Sequence, residues 1–200
     1  RIPPSAGSAS GVLGNPLGYN RVYVHLDGAF NESAWWDGLA KGNCFVTNGP
    51  LLRVRANGRL PGAVFTAEVG KPLGLKLDVQ LTTLDRLAKM EVIQNGIVER
   101  TIPCSGDRDQ TLSSSLTIKE SGWFLVRGIA ENPKTFRFAS TAPFYVELGR
   151  EKRRISKASS RFFLDWVNER IERVKANITD KSQQAEVLRS HESARKFWQK

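Results

Sequence analysis

The chain has 200 residues, with 30 Lys and Arg against 20 Asp and Glu, for a net charge of +10. That length buries a real core without staples, and two distant cysteines, Cys44 and Cys104, make neither a disulfide framework nor a zinc pattern. No apolar run approaches the ~18 residues of a membrane helix, and the two histidines, His25 and His191, belong to no H-x-H or H-E-x-x-H motif.

The chain starts at Arg1 without a charged-then-apolar leader, and it reads as a piece of something longer or a processed product. Residues 1–20 are rich in Gly, Ser and Pro and read as a loop; their glycines form no dinucleotide fingerprint or P-loop. Arg21 to Leu26 alternates and reads as a strand, and Asp27-Gly28 as a turn. Asn31 is placed to cap a helix over 32–41, with Phe30 and Trp35 at the spacing of a hydrophobic staple. Trp35, Trp36 and Leu39 are expected to bury against the core, a reading favoured over a sugar-binding platform.

Gly42 stops that helix and opens the stretch around which the chain is organised, Lys41-Gly42-Asn43-Cys44-Phe45-Val46-Thr47-Asn48-Gly49-Pro50-Leu51-Leu52. Cys44 to Thr47 is short and β-prone, and Asn48-Gly49-Pro50 is a turn signal. The stretch holds no paired acid, base or metal ligand, so it reads as a hinge of the architecture. Beyond it the period is two. Leu51 to Ala56, Leu73 to Leu81, Lys89 to Gln94, Ile97 to Ile102, Thr111 to Ile118, the segment around Trp123 to Ile129, Phe136 to Ala139 and Phe144 to Leu148 read as strands. Asn57-Gly58 and Asn95-Gly96 are turn signals, the second the strongest short hairpin signal in the chain.

Short strands with such punctuation predict a mainly β fold, an immunoglobulin-like antiparallel β-sandwich, although the Cys…Trp…Cys pattern of antibody domains is absent. Two buried free thiols are favoured over one bridge. After Gly149, Phe163, Val167, Ile171, Val174 and Ile178 recur at helical spacing and predict a helix from about Ser156 to Asn177. A second, more polar helix is predicted from Ser182 to Trp198. The first helix's apolar stripe is expected to be buried against the body of the protein. Residues 151–200 carry thirteen Lys and Arg against seven Asp and Glu. Acids alternate with those bases, so a solvated helix face is favoured over nucleic-acid binding, and no membrane partner is expected.

The run GNCFVTNGPLL resembles the "G-R-x-F-V-T-N-G-P-L-L" run of PHP-fold metallohydrolases of the carbaryl-hydrolase (CehA/McbA) type. Leu17 to Val24 resembles the strand after that family's last metal-ligand loop, Glu91 to Gly96 its "E-V-x-x-N-G" hairpin, and Ser121 to Phe124 and Ser140 to Val146 its two closing strands. The similarity spans roughly residues 5–148. It implies a parent with an N-terminal barrel that bears the metals and a C-terminal sandwich. On that reading, 1–43 is a barrel remnant of loop, strand and helix, 44–149 the sandwich domain, and 150–200 a helical segment. The family's ligand loop reads "G-S-D-x-H", whereas Gly7 to Gly11 puts Ala9 and Gly11 at the ligand positions, and neither side chain coordinates a metal. Ser140 replaces the closing-strand histidine.

The favoured function is a non-catalytic sandwich module, structural or ligand-binding, whose partner is the parent's N-terminal barrel. No catalytic residue, metal ligand or cofactor is assigned to this chain; His25 is the one residue placed to point into a remnant metal site. A part of a metal-dependent ester or phosphoester hydrolase, with its chemistry on the barrel, and a carbohydrate-binding module are the alternatives. A Ser-His-Asp device is disfavoured, because His25 falls in a strand and His191 on a charged helix.

Overall fold

The computed structural model describes residues 1–9, 16–68, 70–87, 89–149 and 156–199. The chain divides into two compact units, Arg1–Arg153 and Arg154–Lys200.

The first unit is an immunoglobulin-like β-sandwich of two sheets. Strand β1 (Arg21–Val24) is followed by helix α1 (Glu32–Lys41), then β2 (Cys44–Thr47) and β3 (Leu51–Ala56). The remaining strands are β4 (Val64–Ala67), β5 (Leu73–Thr82), β6 (Lys89–Gln94), β7 (Ile97–Pro103), β8 (Asp109–Ile118), β9 (Gly122–Ala130), β10 (Arg137–Thr141) and β11 (Phe144–Leu148). The larger sheet runs β1-β2-β10-β9-β11-β4, with β6 on the other edge of β9 and β7 beyond it. The smaller sheet is β3-β5-β8. All pairs are antiparallel except β4 with β11. β4 is the strand that patterning misses, although β1 and β2, just as short, are read.

Period-two alternation places the core. Leu75, Leu77, Val79 and Leu81 of β5 face Met90, Val92, Phe124, Val126 and Phe144 of the larger sheet, all buried. Phe124 stacks on Phe144 with ring centroids 4.9 Å apart. Both Asn-Gly pairs make tight turns with left-handed backbone, Asn57 and Gly58 at φ 45° and 75°, Asn95 and Gly96 at 51° and 91°.

The organising stretch carries the chain from one sheet to the other. β2 lies in the larger sheet and β3 in the smaller, with three residues between them. The Thr47 hydroxyl lies 2.6 Å from Pro50 O and 2.9 Å from Phe138 O, donates to one of them, and accepts from Gly49 N at 2.9 Å. Asn48 acts as a side-chain rung against β10: its Nδ2 donates to Phe136 O and its Oδ1 accepts from Phe138 N, each at 2.8 Å. Arg137 Nη1 donates to Asn48 O. Thr47 and Asn48 are buried, and these bonds satisfy polar groups that a sheet-to-sheet crossing would otherwise strand away from water.

The second unit is an antiparallel helix pair, α2 (Lys157–Asn177) and α3 (Lys181–Trp198). Ser156 and Asp180 cap them, accepting from Ser159 N and Gln183 N. Within this unit, the stripe of α2 is covered by α3. Ile171 and Val174 are buried, while Phe163 stacks on Trp198 at 4.7 Å and remains, with Val167, only partly covered. Two amphipathic helices joined by a short connection cover each other, which a stripe read along one helix does not reveal.

Candidate functional site

The free thiols of Cys44 and Cys104 are not bridged. Burial pushes the Cys44 thiol up to about 11, so it stays protonated at neutral pH and is a weak nucleophile. Burial likewise raises Cys104, and a backbone hydrogen bond to Met90 opposes the shift.

His25 follows β1. Its backbone N–H donates to Asn43 O at 2.8 Å, and its ring Nε2 lies 3.1 Å from the exposed carboxylate of Asp27. Ala9 is exposed, and Gly11 lies outside the described residues. Among the described residues no three His, Cys, Asp or Glu side chains converge as a metal site would require. The donor set around His25 therefore does not fit a metal centre of the kind that the resemblance implies for the parent.

Helix α1 corrects a second expectation. Asn31 caps it as predicted, accepting from Ala34 N at 3.1 Å, and Gly42 closes it in left-handed backbone at φ 78°. Trp35 and Leu39 are half-buried, but Trp36 is 57% exposed, and Phe30, the other half of the staple with Trp35, is 76% exposed. The reason is Gly38, the residue through which α1 meets β1: a Cβ there would lie 2.5 Å from Val24 Cγ1. The close approach on that face leaves Trp36 on the far one. Trp35 and Trp36 meet edge to face at 87°, so they form no flat platform for a sugar ring, and Trp123 lies apart on β9.

The chemistry-bearing cavity was not legible in the sequence. About 580 Å³ opens where β1 and β2 of the larger sheet diverge from β3 of the smaller one. One wall is aromatic: Tyr23 and Phe45, opposite in register, stack at 5.1 Å with planes 8° apart. The other wall is β3, with Leu52 and Val54 on its core side and Arg53 and Arg55 on its outer side. Arg55 Nη1 donates to Gly58 O at 2.9 Å, while Arg53 has no hydrogen-bond or ion-pair partner among the described residues. Asp78, across from Arg55, is claimed by Lys76 Nζ at 2.8 Å and by the Ser113 hydroxyl; these partners hold its carboxyl below the usual range. The mouth of the cavity is thus basic and its wall apolar. Strand periodicity could reveal each side chain's face, but not that two strands joined by a three-residue corner splay apart.

No family model matches the chain, and no curated protein matches it. Solved structures do. The CARDB domain of the PF1109 protein from Pyrococcus furiosus, determined in solution, is 17% identical over 49% of this chain and 95% of that one, with a TM-score of 0.30. The crystal structure of the same domain with di-metal ions is 16% identical over 51% of this chain and 96% of that one, with a TM-score of 0.29. A lytic polysaccharide monooxygenase from Jonesia denitrificans is 14% identical over 69% of this chain and 84% of that one, with a TM-score of 0.32. At these identities and TM-scores the likenesses carry no ligand or activity over to this chain.

Proposed function

We propose that this β-sandwich is a non-catalytic module, structural or ligand-binding, of a PHP-fold protein of the carbaryl-hydrolase type, and that its partner is the N-terminal barrel of that parent. The observation that carries the reading is the uncovered aromatic side of α1. Phe30 and Trp36, more than half exposed, are side chains of a kind that gains roughly 1.5–3 kcal/mol on burial. They lie in the segment that the resemblance assigns to the end of the barrel. The organising run supports the same reading, because its polar side chains are consumed by the corner between the sheets. In the alternative, where the parent hydrolyses an ester or phosphoester, the reaction belongs to the barrel and this chain holds none of its groups.

The test mixes this chain with the parent's separately prepared barrel and follows binding by calorimetry. Association is expected, weakened more than about tenfold by Trp36→Ala, as for an aromatic anchor at the centre of an interface. No heat of binding at tens-of-micromolar concentration, or binding indifferent to Trp36, would contradict the proposal.

A further inference from the structure

β8 closes the smaller sheet on one side and pairs only with β5 among the described residues. It is ten residues long, and its register with β5 runs from Asp109 to Ile118 without a shift. One step before the strand, Thr83 N–H donates to Arg108 O at 2.8 Å. Antiparallel alternation from that bond turns the backbone groups of Gln110, Leu112, Ser114, Leu116 and Ile118 toward β5. Those of Thr111, Ser113, Ser115 and Thr117 turn away from it, off the sheet. These four residues are exposed, and their backbone groups have no partner among the described residues. A long edge without charge, proline or bulge is a template for another strand. The edge at β7 is guarded by contrast: its ladder with β6 is irregular at Val92 and Ile93, and Glu99 and Arg100 are exposed on it.

The occupant is written in the strand. Thr111-Leu112-Ser113-Ser114-Ser115-Leu116-Thr117 reads the same in both directions. We propose that β8 pairs antiparallel with β8 of a second copy about a two-fold axis at Ser114, joining two small sheets into one. In that register Ser113 of one copy meets Ser115 of the other, and Thr111 meets Thr117, through their outward backbone groups. Hydroxyls then face hydroxyls on the exposed face. On the core face Leu112, half-buried in the single chain, meets Leu116 of the second copy. Beyond the palindrome, Asp109 of each copy falls opposite the exposed Lys119 of the other, so the two ends carry opposite charges. Sliding by one pairing step in either direction sets Leu against Ser or Ile and loses this match. The net charge of +10 opposes association at long range, and about 0.15 M salt screens it beyond ~8 Å. This contact lies on the smaller sheet and is independent of the proposed barrel contact at α1.

The test is sedimentation equilibrium of the intact chain up to about 1 mM, because an interface of one strand pair is small and weak. Residue-resolved amide exchange is measured at both ends of the concentration range. A monomer–dimer equilibrium is expected. Dimer formation is expected to slow exchange at Thr111, Ser113, Ser115 and Thr117 and to leave Leu112, Ser114 and Leu116, already bonded to β5, unchanged. Ser113→Lys with Ser115→Lys sets like charges opposite each other and is expected to weaken the dimer at least about tenfold. Ser113→Lys with Ser115→Glu sets opposite charges in the same two pairs and is expected to restore it. The exchange pattern of the wild-type chain decides the matter if either variant misfolds. A chain that stays monomeric throughout, a dimer that protects other amides, or two charge variants that weaken it equally would each overturn the proposal.

Discussion

Asn48 is the residue on which the crossing between sheets depends. Its side chain reproduces a strand's donor and acceptor against Phe136 O and Phe138 N, where β2 has ended and β3 has not begun. Asn48→Ala leaves the partly buried Phe138 N–H and Phe136 C=O without this partner, each a loss of up to about 1–3 kcal/mol. We expect urea denaturation to show a stability loss of about 2–4 kcal/mol with an unchanged m-value. A loss under about 0.5 kcal/mol would mean that water replaces the rung and that the corner is not a determinant of the fold. The sequence carried much of this. Thr47-Asn48-Gly49-Pro50 announced a turn without catalytic chemistry, and Asn31, Gly42, Asn57 and Asn95 announced the caps and turns they make, because such signals depend only on local backbone. It did not carry the fate of Phe30 and Trp36, since burial there depends on how closely Gly38 lets α1 approach β1.

At the scale of elements, strands of six or more residues declared themselves by alternation, and the four-residue β4 did not. Face assignment also needed the structure. On β9 both faces carry large apolar groups, and only the fold shows that Phe124 and Val126 turn to the core while Ile129 is exposed. The helices announced their apolar stripe but not its cover. Ile171, buried at the middle of α2, is the position where that cover is tested. Ile171→Asp places an unpaired charge against α3 and is expected to destabilise the helix pair by a few kcal/mol, about 2–4. Circular dichroism at 222 nm, followed against temperature, should show the helical signal melting earlier. An unchanged helical melt would show that the two helices do not depend on their shared stripe.

At the scale of the whole molecule, polar residues of the 41–52 run close the corner between the sheets, Phe30 and Trp36 are exposed, and the basic, aromatic cavity opens where β1 and β2 diverge from β3. The sandwich was legible from period and punctuation. The cavity was not, because it arises from the divergence of β2 and β3 after a shared corner. The central claim is an expectation about metal: the chain by itself is proposed to bind none, since among the described residues no three His, Cys, Asp or Glu side chains converge. The most direct measurement is elemental analysis of the purified chain after dialysis against zinc and manganese, alongside His25→Ala. The account predicts well under one ion per chain in both. A stoichiometric transition metal in the wild-type chain that disappears in His25→Ala would contradict it.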